Sequence, residues 1–228
     1  MQPRDRLVVA LDVSTRNDVL RLLDQLHDAA GVFKIGLQAF TALGPSIVRE
    51  VVARGERVFL DLKIHDIPNT ASHAIHEVAS LGASMTTVHA SGGESMLRAC
   101  AHDSVLVLGV TVLTSLDDAS LQSVGFTDNA IDTAARLARL AQASGLRGVV
   151  ASPHEIAAIR EACGSDFVIL TPGIRPSGAD AGDQRRTMTP REAISAGADY
   201  IVVGRPITNA ANPRSAALRV IDDMSSRA

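Results

Sequence analysis

Leu60-Asp61-Leu62-Lys63-Ile64-His65-Asp66-Ile67-Pro68-Asn69-Thr70 takes over from an apolar run, Val58-Phe59-Leu60, and leads into a turn. Successive side chains of a strand point to opposite faces, so Asp61 and Lys63 share one face. That face is otherwise a buried one, where a carboxylate and an ammonium are costly unless they pair. Asp66 follows just past the strand. Taken alone, the stretch also fits an ordinary ion pair at a strand end in solvent. Its neighbours along the chain decide between the two.

Working outward, apolar runs alternate with segments of helical periodicity. Leu7 to Asp12 is a strand ending on a carboxylate; Val32-Phe33-Lys34-Ile35-Gly36 is a second, carrying a lysine; 57–63 is the third. Met85 to Ala90, Val105 to Leu113, Gly148 to Ser152, Phe167 to Thr171 and Tyr200 to Gly204 follow. Between them, Val19, Leu22, Leu23 and Leu26 recur at helical spacing behind Ser14 or Thr15 as a cap, and one helix is expected from Phe40 to Arg54. Further helices start near Pro68, Ser91, Ile131, Pro153, Pro190 and Pro213. Leu116 to Asp128 and the Gly-, Asp- and Ser-rich Pro172 to Thr187 read as loops, with Asp117-Asp118 as a solvated helix start.

The strands are continuous apolar runs, as expected when both faces are covered. Eight strand–helix units imply parallel pairing with right-handed crossovers, and they close naturally into a (β/α)8 TIM barrel forming one domain over residues 1–228. An open doubly wound sheet fits less well, because no Gly-x-Gly-x-x-Gly follows the first strand.

Composition narrows the class of function. The chain has 228 residues, 46% hydrophobic, with 22 basic and 25 acidic residues, so no basic face for nucleic acid is implied. Aromatic content of 3% without Trp leaves few stacking platforms for bases. No apolar run approaches the roughly 18 residues of a membrane span, and no secretory signal precedes the first strand. Cys100 and Cys163 lack CxxC spacing and read as inert, reduced thiols of a cytoplasmic protein.

In a barrel, the C-terminal strand ends converge on one mouth, where active sites sit. Asp12, Lys34, Asp61 and Lys63 then form a row of alternating charge across it. Unit charges about 4 Å apart interact by roughly 4 kcal/mol at an effective dielectric near 20, so such a row fixes each charge in place. A lysine held this way can stabilise a carbanion and protonate it. Loops after the seventh and eighth strands of barrels often bind phosphate. Here Gly173, Gly178 and Gly182 allow close backbone approach, and Arg175, Gln184, Gly204 and Arg205 supply donors. Thr114 and Thr171 end strands five and seven. His89 ends strand four and reads as a supporting histidine, while His65, His73 and His76 lack partners at metal-ligand spacing.

The segments LVVALD, FKIG, DLKIHDIPNT, VTVLTS, TPGIR, DQRR and IVVGRPI, in this order and spacing, closely resemble bacterial-type orotidine 5′-phosphate decarboxylases from about Leu7 to Asn212. The resemblance implies decarboxylation of orotidine 5′-phosphate to uridine 5′-phosphate, the last step of pyrimidine nucleotide synthesis. It implies neither metal nor cofactor, and a homodimer with sites at the subunit interface. It makes Lys63 the proton donor to C6 and sets Asp61 beside the leaving carboxylate. Lys34 and Asp12 go to the ribose hydroxyls, and Asp66 and Thr70 to the partner subunit's site. Thr114, with Ser115 as the alternative, faces the pyrimidine. Arg175, Gln184, Gly204 and Arg205 hold the phosphate, with 180–184 closing as a lid.

Two other readings remain at this stage. A magnesium-dependent barrel acting on sugar-phosphate keto acids shares a D-x-K-x-x-D stretch, but needs an acid where strand two has Lys34. A barrel that only binds a phosphate or nucleotide would keep the mouth without its chemistry.

Overall fold

In the computed structural model the chain is described over residues 1–176 and 187–225. Eight strands close a parallel barrel in sequence order: β1 (Leu7–Ala10), β2 (Val32–Gly36), β3 (Val58–Ile64), β4 (Met85–His89), β5 (Leu106–Val110), β6 (Gly148–Val150), β7 (Val168–Thr171) and β8 (Tyr200–Val203). β8 returns to β1 with Leu7 opposite Ile201 and Val9 opposite Val203, so no sheet edge is left open. This is the (β/α)8 barrel expected from the alternating pattern.

Strand alternation divides the apolar side chains into two cores. Val8, Ala10, Val32, Phe59, Met85, Leu108, Val110, Val150, Leu170, Tyr200 and Val202 fill the barrel interior. Their neighbours Leu7, Val9, Phe33, Ile35, Leu60, Val149, Ile169, Ile201 and Val203 point outward into the larger core under the helices. Burial of both faces is what makes the strands read as unbroken apolar runs.

The helices start where their caps allow. The Thr15 hydroxyl accepts the Asp18 N–H at 3.1 Å and opens Arg16–Leu26. Asn129 does the same for Ala130–Ala143, and Thr189 with Glu192 forms a capping box for Pro190–Ala196. Pro68 and Pro213 sit in the first turns of Pro68–Ser80 and Pro213–Ser225, where a missing N–H costs nothing.

Several boundaries differ from the sequence reading. The single helix expected over 40–54 is two, Leu37–Leu43 and Pro45–Ala53. Pro45 cannot continue a helix, and Gly44 turns the chain at φ +67°. β1 stops at Ala10 and β5 at Val110, so Asp12 and Leu113 lie on the loops that rim the mouth. The expected loop over 116–128 contains the helix Asp118–Ser123, capped by Asp117. A helical turn, Pro3–Arg6, precedes β1.

β3 carries the irregularity that matters most. Leu60 lies opposite Thr86 and Ile64 opposite Val88, so four steps along β3 run against two along β4. The bulged pair of residues bends the strand where Asp61 and Lys63 stand. Alternation still holds, with Leu60, Leu62 and Ile64 packed on the outer core and Phe59 inside.

Close packing at β6 leaves no room for a side chain at Gly148. A Cβ there would lie 2.5 Å from the Val168 carbonyl oxygen and 2.8 Å from Leu108 Cδ2. Gly148→Ala is therefore expected to destabilise the fold by about 1–3 kcal/mol, the usual range for overpacking. Thermal or urea unfolding checks this, and an unchanged midpoint would contradict the tight β6–β7 contact.

Candidate active site

The barrel mouth holds a cavity of about 530 Å³. Asp12, Lys34, Asp61, Lys63, Thr114, Gly173, Arg175, Gly204 and Arg205 all line it. Residues of β1, β2 and β3 and the loop after β1 line it together with those following β7 and β8, and β8 pairs with β1. Ala10, Phe59, Val110, Val150, Leu170 and Val202, the upper layer of the interior core, form its floor.

The expected row of charge is present in order. Lys34 Nζ donates to Asp12 Oδ1 at 2.9 Å and lies 3.9 Å from Asp61 Oδ2. Lys63 Nζ donates to both oxygens of Asp61, at 2.9 and 2.8 Å. The row sums to zero charge, which suits its depth. Lys34 and Asp61 side chains are each 12% exposed, whereas Asp12 is 51% exposed. An ion pair near 4 Å is worth about 1 kcal/mol in water and about 4 at an effective dielectric of 20. The Asp61 end of the row therefore holds its geometry far more firmly than the Asp12 end, where water screens the pair.

Two local features of the backbone permit this arrangement. Gly36, at the end of β2, leaves the space that the Lys34 ammonium occupies, since a Cβ there would lie 2.7 Å from Nζ. Lys63 is the one non-glycine residue among the described residues with a left-handed backbone, at φ +52°. Such a conformation costs of order 1–3 kcal/mol and persists only where the surroundings over-determine it. The Lys63 N–H donates to the Thr87 hydroxyl at 2.9 Å, and that hydroxyl donates to Asp61 Oδ1 at 2.9 Å.

Other expected residues lie elsewhere. Asp66 and Thr70 are exposed and do not line the cavity; the Asp66 carboxylate accepts the Ile67 N–H at 2.7 Å. Thr114 lines the cavity and Ser115 does not. Thr171 is buried without lining it. Gly178, Gly182, Gln184 and the segment 180–184 fall outside the described residues. Cys100 and Cys163 are free thiols at helix ends, and burial pushes Cys100 up to about 11. Among the described residues no three His, Cys, Asp or Glu side chains gather as a metal site requires.

Sequence reasoning missed Thr87 and Gln38. Gln38 lines the cavity and donates to the Ser14 hydroxyl at 2.9 Å. Thr87 read only as one more β-branched strand residue, a role to which threonine is suited without any site nearby. The signal for both is spatial rather than sequential.

His89 sits behind the row, its ring 5.5 Å from that of His65. Burial lowers its basicity below the ordinary 6.5, His65 and Lys63 add to the effect, and Asp61 opposes it. The folded protein thus holds His89 neutral at pH values where the unfolded chain already takes up a proton. Stability must fall as the pH drops below 6.5 and through the lowered value. The melting-temperature advantage of wild type over His89→Gln is expected to shrink between about pH 7 and about pH 5. A constant difference across that range would show that folding does not perturb this imidazole.

The chain is similar to known proteins over most of its length. Residues 5–220 match the family model described as the orotidine 5′-phosphate decarboxylase / HUMPS family. The chain is 51% identical to an orotidine 5′-phosphate decarboxylase of Moorella thermoacetica, over 95% of this chain and 91% of that one. It is 46% identical to the enzyme of the same name from Heliobacterium modesticaldum, over 99% and 98%. Among solved structures, orotidine 5′-phosphate decarboxylase from Lactobacillus acidophilus superposes with a TM-score of 0.86 at 34% identity, over 96% and 99% of the two chains.

Proposed function

The chain belongs to the orotidine 5′-phosphate decarboxylase / HUMPS family, and from that premise we propose how the residues of the mouth divide the reaction. The activity is the decarboxylation of orotidine 5′-phosphate to uridine 5′-phosphate, a step of pyrimidine biosynthesis. The observation that carries the division is the Lys63 ammonium, bonded to both oxygens of Asp61 at the end of a neutral row of charge.

The pyrimidine lies with its C6 carboxylate toward Asp61 and Lys63. The C6–carboxylate bond breaks, carbon dioxide leaves, and the electron pair stays on C6. That carbanion has no conjugated sink, so a fixed positive charge beside it is the main source of stabilisation. Lys63 supplies the charge and then transfers a proton from Nζ to C6. Asp61 opposes the substrate carboxylate with like charge, favouring its departure, and holds Lys63 in place. Lys34 and Asp12 take the ribose hydroxyls, and Thr114 faces the pyrimidine ring.

Phosphate goes to Arg175, Gly204 and Arg205, which line the same cavity, joined by Gln184. Binding a dianion away from the reacting carbon contributes energy that positions C6 over Lys63. The magnesium-dependent reading is not favoured. Where it needs an acid on the second strand, Lys34 stands between Asp12 and Asp61, and the named relatives are decarboxylases.

The reading extends to a homodimer in the cytoplasm, with no nucleic-acid partner. Asp66 and Thr70 lie on an exposed run beside Ile67, an apolar side chain that is 67% exposed. A second copy covering this run brings Asp66 and Thr70 to its own mouth and removes Ile67 from water. The free thiols suit a reducing compartment.

Turnover of orotidine 5′-phosphate, followed by absorbance, is expected to continue in excess chelator. Lys63→Ala is expected to lower kcat at least about 100-fold with the fold intact, the lower end of what a positioned acid supplies. Chelator-dependent turnover, or a Lys63→Ala enzyme with more than about a tenth of wild-type kcat, overturns the assignment. Separately, mixing inactive Lys63→Ala and Asp66→Ala chains under subunit exchange should restore activity, because one site of the mixed dimer is then intact. No gain in activity means that Asp66 does not serve the partner.

A further inference from the structure

We propose that Thr87 is a positioning residue for the decarboxylation, one hydroxyl that fixes both the backbone of Lys63 and the carboxylate of Asp61. The inference rests on reading Lys63 as the proton donor, and adds what sets its geometry.

Thr87 is fully buried in the middle of β4, on the same face as Met85 and so toward the barrel interior. A threonine hydroxyl has one proton to give and two lone pairs to receive. Here the proton goes to Asp61 Oδ1 at 2.9 Å, and a lone pair takes the Lys63 N–H at 2.9 Å. Lys63 Nζ closes the circuit by donating to the same Asp61 Oδ1 at 2.9 Å. The main chain and the side chain of one lysine are thus tied, through Thr87 and Asp61, into a single ring of hydrogen bonds.

The bulge explains why such a tie is needed. Between Leu60 opposite Thr86 and Ile64 opposite Val88, β3 is out of regular register with β4, and Lys63 takes the left-handed backbone at φ +52°. A residue freed from a regular ladder and held in an unfavourable conformation relaxes unless another group secures it. Thr87 is the residue of the neighbouring strand that faces this gap.

Thr86 provides an internal contrast. It is equally buried on the same strand, but its hydroxyl donates to the Leu60 carbonyl at 2.8 Å on the outer side of the sheet. Losing either hydroxyl removes a buried hydrogen bond and lowers stability. Only Thr87 connects to the reacting groups. A merely structural role predicts like behaviour for the two positions, whereas a positioning role predicts that kcat responds at Thr87 alone.

The test measures kcat, KM, uridine 5′-phosphate affinity and melting temperature for Thr87→Val, Thr87→Ser, Thr87→Ala and Thr86→Val. Thr87→Val is expected to lose about 10- to 100-fold in kcat while KM and product affinity stay within about threefold. Thr87→Ser, which keeps the hydroxyl, should return kcat to within about threefold of wild type, and Thr86→Val should lower the melting temperature without a comparable loss in kcat. If Thr87→Val does not fold, the Ser and Ala variants decide, since they differ by the hydroxyl alone; equal kcat values overturn the proposal. So do a Thr87→Val enzyme with half or more of wild-type kcat, product affinity that falls in step with kcat, or a kcat loss in Thr86→Val matching that of Thr87→Val. An active Lys63→Ala enzyme would sink the underlying reading. An inactive Lys63→Ala beside a fast Thr87→Val would sink this inference only.

Discussion

The carboxylate of Asp61 is the point on which the site depends. It receives Lys63 Nζ on both oxygens and the Thr87 hydroxyl on one, with Lys34 Nζ 3.9 Å away. A carboxylate this deeply placed would be costly alone, because burying a charge without partners far exceeds what packing returns. Two ammonium groups and a hydroxyl offset that cost, and in doing so each is held in place. The constraint acts in both directions. The lysines need Asp61 to stand side by side, and Asp61 needs them to offset its burial at the end of an apolar strand.

Much of this was legible in the sequence. Continuous apolar runs separated by helical periodicities implied a parallel barrel, and a barrel brings strand ends together by its topology. Asp12, Lys34, Asp61 and Lys63 followed as neighbours without any knowledge of distances. Strand ends were less legible: β1 and β5 run out before Asp12 and Leu113, because the last apolar residues of a run rim the mouth rather than pair in the sheet. The break at Gly44 and Pro45 carried the usual signal for a helix stop, but the apolar spacing on either side continued smoothly across it.

The bulge in β3 had no sequence signal at all. Register is a relation between two strands, and nothing in Asp61-Leu62-Lys63 states how β4 will lie against it. The left-handed backbone of Lys63 is equally silent, since lysine is an unremarkable residue where glycine or asparagine would have been a flag. Thr87 was hidden for the same reason. Its importance comes from standing across the bulge, and its residue type fits any strand.

The two sets of polar residues in the cavity differ in how they are built. Lys34, Asp61 and Lys63 are carried on strands, backed by the outer core and by the β4 hydroxyl, so their positions are set by the barrel itself. Arg175 lies in the loop after β7, and Gly204 and Arg205 directly follow β8. Chemistry that depends on a proton donor held close to one carbon needs positions set by strands. Recognition of a phosphate by cations tolerates adjustment, because a charged group with several oxygens can be met from several directions. On the proposed reading, binding energy from the dianion is drawn on to carry the pyrimidine against the row of charge, where the substrate carboxylate meets Asp61.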